Sequence, residues 1–144
     1  MKNNNLVLIV FALMFITGCV AQDDDNSRIK AVITQFSKAG DNNDAVMLET
    51  CLDDNYRIVM NRLFGSSDVS VMDKAVYLDK IHLKEFGGDS RILTIEKIVL
   101  NETTASAKVV LKGTKSTFTS LFALVKDTQG NWKIIGEMPI MQQI

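Results

Sequence analysis

Residues 117–140 constrain the chain most. Phe118, Leu121, Phe122, Leu124 and Val125 lead into Asp127-Thr128-Gln129-Gly130-Asn131, and Trp132-Lys133-Ile134-Ile135 follow at once. Two β-rich runs joined by a short polar segment containing Gly specify an antiparallel hairpin, because Gly tolerates the positive φ such a loop needs. Phe118, Phe122 and Leu124 share one parity, and Leu121, Ala123 and Val125 share the other. A strand apolar on both sides belongs inside a sheet rather than at its edge. The remaining chain must cover this pair.

Ile29, Val32, Ile33 and Phe36 recur on one helical face, which predicts a first helix over 27–39, stopped by Gly40. Asp41-Asn42-Asn43-Asp44 supplies caps for a second helix over 45–52. Residues 56–64 alternate and form a half-buried strand, with Tyr56, Ile58, Met60 and Phe64 on the apolar side and Arg62 intruding on it. Ser70-Val71-Met72-Asp73 has capping-box spacing and opens a third helix to about residue 86, broken by Gly87-Gly88. Strands over 91–100 and 105–112 then lead into the hairpin. Three helices with one strand interposed, then four antiparallel strands, make an α+β fold: three helices packed on a curved, mainly antiparallel sheet.

The first residues carry an address. Lys2 and a polar Asn3-Asn4-Asn5 precede eleven apolar residues over 6–16, too few for a spanning anchor, which needs about 20, and suited to a signal peptide. Ile16-Thr17-Gly18-Cys19 resembles the bacterial lipobox, with Cys19 lipidated as the new N-terminus and a membrane tether through its acyl chains. The competing reading is ordinary cleavage after Ala21, giving a soluble periplasmic or secreted protein. Asp23-Asp24-Asp25 follows either as a surface-export signal or as a solvated spacer. The division is thus 1–18 signal peptide, 19–26 tether and 27–144 folded domain, in a cell-envelope lipoprotein of the outer membrane or cell surface. Cys51 is left as a small buried apolar residue.

With that order laid out, the chain resembles the nuclear transport factor 2-like superfamily, a cone-shaped α+β fold, and within it the lumazine-binding branch akin to polyketide-cyclase-like proteins. Ile33-Thr34-Gln35-Phe36, Ala39-Gly40-Asp41, Ala105-Ser106-Ala107, Phe122-Ala123-Leu124-Val125 and Gly130-Asn131-Trp132-Lys133-Ile134-Ile135 carry the likeness. The resemblance implies a cavity between sheet and helices, and an outer sheet face that pairs with a second copy as a homodimer. The ketosteroid-isomerase branch sets a carboxylate base, a tyrosine and a second acid in its cone; no such set can be placed on this chain. Relatives often carry a His after the second helix, where this chain has Leu52-Asp53-Asp54.

Tyr56, Met60, Arg62, Glu96 and Met138 are the candidate cavity residues. Glu96 shares parity with Ile92, Ile98 and Leu100, so burial among them would raise its pKa and fit it for acid–base work; the alternative is a solvated twist. Arg62 could meet a ligand carboxylate, or lie at a strand end with its head in water. Tyr56 packs first and offers a hydroxyl second. Met60, Met72, Met138 and Met141 suit one adaptable end of the cone. Counted from Trp132, Glu137 falls with Lys133, Ile135 and Met141 on an exposed or dimer-facing side. His82 is the single histidine and reads as a rim residue, so no metal is expected. Without a phosphate loop or nucleophile elbow, no cofactor is expected either. With 16 Lys+Arg against 17 Asp+Glu, clustered phosphate contacts are excluded, and with them nucleic acid as a partner.

The reading is an exported binding module for a small apolar or amphiphilic ligand or a protein partner, without catalysis. The alternative is a small isomerase, dehydratase or cyclase with Glu96 as base and Tyr56 or Arg62 stabilising an oxyanion.

Overall fold

The computed structural model describes residues 16–143, with side chains from residue 24. The apolar leader and the side chain of Cys19 lie outside the described residues. In chain order the elements are α1 (Ile16–Asp41), α2 (Ala45–Cys51), β1 (Leu52–Asn61), β2 (Val69–Asp73), α3 (Lys74–His82), β3 (Ile92–Asn101), β4 (Thr104–Lys112), β5 (Ser116–Lys126) and β6 (Trp132–Gln143). No helix of the described residues is long and apolar enough to cross a membrane.

Three helices pack on one face of a six-stranded open sheet ordered β2-β1-β6-β5-β4-β3. Every neighbouring pair is antiparallel except β1 with β6, which run parallel. The expected hairpin is β5–β6, and β5 lies in the sheet interior between β4 and β6. Its inner parity, Ser120, Phe122 and Leu124, is buried, whereas Leu121 and Ala123 face outward and are exposed. That outer face carries a row of uncovered apolar side chains: Val71 pairs with Val59 across β2–β1, and Leu121 with Met138 across β5–β6.

The face of α1 that meets the sheet is the expected one. Ile29, Ile33, Phe36 and Ala39 are almost fully buried, each large apolar side chain contributing about 1.5–3 kcal/mol relative to exposure. Asp44 caps α2, its carboxylate accepting from the Met47 N–H at 2.9 Å. The third helix starts later than its capping-box spacing suggests. Residues Val69–Asp73 are extended and pair with β1, from Arg57↔Asp73 to Asn61↔Val69. The cap is Asp73, which accepts from the Val76 N–H at 2.9 Å. Val69 and Val71 alternate on a strand and find a ladder of backbone partners there, which outweighs the local spacing of Ser70 and Asp73.

After α3 the chain closes back on the end of α1. The Gly88 N–H donates to the Gly40 carbonyl at 3.0 Å. Gly87 has φ +78°, and a Cβ there would stand 2.3 Å from that same carbonyl oxygen. Gly87→Ala is therefore expected to cost about 1–3 kcal/mol through backbone strain, with more if the clasp opens. A lowered urea midpoint would show it; an unchanged midpoint would contradict it.

Candidate functional site

Between the inner face of the sheet and helices α1 and α3 lies a cavity of about 540 Å³. Phe36 of α1, Tyr77 and Ile81 of α3, Ile58 and Met60 of β1 and Phe118 of β5 supply most of its apolar wall. The rings are linked: Phe36 stacks on Tyr77 at 6.4 Å, and Tyr77 meets Phe86 at 6.4 Å. The lining residues that reach solvent are Phe64, Glu85, Gly87, Gly88, Thr114 and Lys115. All belong to the loops after β1 and α3 and the β4–β5 turn, so the mouth is at that end.

Of the three carboxyl groups that line this cavity, those of Glu85 and Asp89 belong to the loop at the mouth, and that of Glu137 is the buried one, its residue only 6% exposed. Its Oε2 accepts from the Tyr56 hydroxyl at 3.0 Å, and its Oε1 accepts from the Ser120 hydroxyl at 2.7 Å. Burial pushes the Glu137 pKa up, and the hydrogen bonds from Ser120 and Tyr56 and the charge of Arg91 offset this only in part. Burial, followed by the charge of Glu137, raises the hydroxyls of both Tyr56 and Tyr77, so both tyrosines are neutral donors. Arg91 lines the mouth side, but its guanidinium is engaged by the Asp41 carboxylate and the Ser37 carbonyl.

Glu137 faces inward because β6 carries a β-bulge. Ala123 pairs with Gly136 and Leu124 with Ile134, leaving Ile135 as the extra residue. An inserted residue reverses the in–out alternation beyond it. Trp132 and Ile134 point in before the bulge, and Glu137 and Pro139 point in after it. Glu137 is thus placed opposite to the expectation counted from Trp132. The available signal was Gly136 beside two adjacent isoleucines, since an isolated Gly in a strand pattern marks a bulge.

The expected cavity residues divide. Met60 is buried and lines the cavity. Tyr56 is fully buried and meets the cavity carboxyl through its hydroxyl. Glu96 does not enter: it is the extra residue of a bulge in β3, where Ile95 pairs with Val109 and Lys97 with Lys108. It is exposed and paired with Lys108 at 2.8 Å. Arg62 lies beyond the end of β1 with φ +56° and is exposed, its backbone N–H donating to the Asp68 carbonyl at 3.1 Å. Met138, next to inward Glu137, points to the outer face and is 54% exposed. Of the four methionines expected at one end of the cone, Met60 alone lines it. Cys51 is buried, and burial raises its thiol pKa. Among the described residues no group of three or more His, Cys, Asp or Glu could hold a metal.

Residues 24–138 match the family described as "Putative lumazine-binding". No curated protein matches the chain. Among solved structures, a nuclear transport factor 2-like protein of unknown function from Shewanella baltica superposes with TM-score 0.72 at 17% identity, covering 83% of this chain and 94% of that one. One from Silicibacter pomeroyi gives TM-score 0.74 at 12% identity, covering 84% and 98%. A protein described as a putative ketosteroid isomerase, from Shewanella frigidimarina, gives TM-score 0.59 at 18% identity, covering 76% and 92%. At these identities the structural likeness speaks for the fold alone. By the extent of the family match, and on a nuclear transport factor 2-like fold, this chain belongs to the family described as "Putative lumazine-binding".

Proposed function

We propose that the protein is an exported small-ligand-binding module without catalysis, held at a membrane through lipidated Cys19. The observation that carries the binding role is the Glu137 carboxyl, set among Phe36, Tyr77 and Phe118 in a cavity of about 540 Å³. Such a site takes a flat, mostly apolar molecule with one hydrogen-bonding edge. The family description names a lumazine, a flat bicyclic heteroaromatic that matches the shape and carries more polar atoms than this wall offers partners for. A binding role is further supported by the engagement of both Glu137 oxygens by Ser120 and Tyr56. Of the two cations at the mouth, Arg91 is already engaged by Asp41 and Lys115 is exposed. Export and the anchor rest on the leader and on Ile16-Thr17-Gly18-Cys19. Pairing of two outer sheet faces through Leu121, Met138 and Ile140 belongs to the same reading.

A second reading, proton-transfer catalysis, is favoured by one observation. Tyr77 lines the cavity, its hydroxyl bonded to no described residue, close enough for the Glu137 charge to act on it. Glu137 would then serve as base and Tyr77 as donor to a developing oxyanion.

Titration calorimetry with lumazine, related bicyclic heteroaromatics and an enolisable steroid tests both. Glu137→Gln is expected to weaken the best binder by roughly 10-fold or more, the worth of one hydrogen bond to a charged or strongly polar group. Equal affinity in the variant, or no binding by any compound, would count against the binding role. Turnover of the steroid that vanishes in Glu137→Gln would establish the second reading instead.

A further inference from the structure

The last residue of the acidic run is built into the fold. Asp25 accepts from the Lys126 ammonium at 2.7 Å and from the Trp132 indole N–H at 3.0 Å. Lys126 also lies over the Trp132 ring, 5.2 Å from its centroid. Three residues on, Arg28 donates to the Gly130 carbonyl at 2.7 Å. These contacts join α1 to the β5–β6 turn, so the fold begins ahead of residue 27 and the spacer is shorter than the sequence suggests.

The cavity opens at the other end. From Asp25, α1 runs to Gly40, which lines the cavity beside Gly87 and Gly88; fifteen helical residues span about 22 Å. Strand β4 makes the same traverse, from Thr104 near the β5–β6 turn to Lys112 near the mouth. Asp25 is six residues from Cys19, a reach of at most about 20 Å even fully extended.

We infer that the latch of Asp25 on Lys126 and Trp132 holds the β5–β6 turn against the membrane surface and turns the cavity mouth toward the aqueous side. This rests on the reading of Cys19 as lipidated. The occupant of the turn end is therefore the lipid headgroup layer, brought there by the anchor. At that end Arg28 and Lys126 stand against Asp24, Asp25, Asp127 and Glu102, so the anchor and not attraction to anionic lipid holds the contact, and salt does not weaken it. A ligand reaches the cavity from water or from another soluble protein rather than by lateral entry from the bilayer.

The test uses the full lipidated chain in vesicles of phosphatidylethanolamine and phosphatidylglycerol carrying a headgroup nitroxide. A fluorophore is placed at Gln129→Cys or at Lys115→Cys, both exposed positions, while Cys51 is buried. Severalfold stronger quenching at 129 than at 115, not weakened by salt, is expected. Asp25→Asn, with its fold verified by circular dichroism, is expected to abolish most of that difference. Equal or reversed quenching in protein that floats with the vesicles would overturn the orientation and leave the anchor standing. An undiminished difference in Asp25→Asn would overturn the role of the latch. Flotation that survives Cys19→Ser would refute the anchor itself, and the orientation with it.

Discussion

Phe36→Ala is expected to lower the free energy of unfolding by about 3–5 kcal/mol, the range for truncating a buried aromatic. Phe36 is 2% exposed, stacks on Tyr77 and meets the edge of Phe122 at 5.2 Å. Truncation removes both ring contacts and the apolar burial together. Because Phe36 borders the cavity on one side, the space left merges with it and is open to water there, which places the cost toward the lower end of that range. Leu121→Ala, on the outer face at 50% exposure, is the control, expected to cost less than about 1 kcal/mol in the monomer. Urea midpoints at constant m-value separate the two. Equal shifts would mean that the sheet face bearing Phe122 is not the core-facing side.

The contribution of Glu137 to stability is expected to decline as pH rises above the ordinary carboxylate range, and Glu137→Gln to flatten that decline. Burial raises the folded-state pKa of Glu137 above its unfolded value. Between the two values the folded chain holds the proton more tightly, so stability falls with increasing pH. Below the unfolded value both states are protonated and the native carboxyl carries no ionisation penalty. Asp25 works in the opposite sense: hydrogen bonds from Lys126 and Trp132 depress its pKa, so its contribution is present above the ordinary Asp range and lost on acidification. In acid the protonated Glu137 carboxyl and a Gln amide are both neutral, each with one acceptor oxygen and a donor from which a hydroxyl can accept, so the two chains start at similar stability. The stability–pH curves of wild type and variant are therefore expected to start close together in acid and to separate as pH rises, the variant's falling less, in denaturant titrations. Parallel curves would show that Glu137 does not titrate differently on folding.

Much of the architecture is legible in local periodicity. The alternation Ala105, Ala107, Val109, Leu111 becomes the buried side of β4, and Ile29, Ile33 and Phe36 the buried side of α1. What escapes is whatever interrupts a period. Counting by twos from Trp132 sends Glu137 outward, and counting back from Leu100 and Ile98 sends Glu96 inward. Both inversions stem from single unpaired residues, at Ile135 in β6 and at Glu96 itself in β3. Strand β2 escapes for a different reason: Ser70 and Asp73 satisfy a helix-start pattern, and only pairing with β1, distant from any local signal, decides for the strand. Tyr56 is legible as a packing residue, but its role beside Glu137 depends on the parallel pairing of β1 with β6, where Ile58 stands opposite Glu137.

The extra residue at Ile135 gives this chain an unusual economy of change. Flattening that bulge while keeping every residue would slide the rest of β6 by one position along β5, bringing Met138 toward the hollow and sending Glu137 out to the surface. The chamber would lose its buried acid and keep polar groups only toward its opening, although no side chain had been exchanged for another. Relatives with nearly the same composition can therefore differ in what they hold, and aligning their last strands without gaps would hide it.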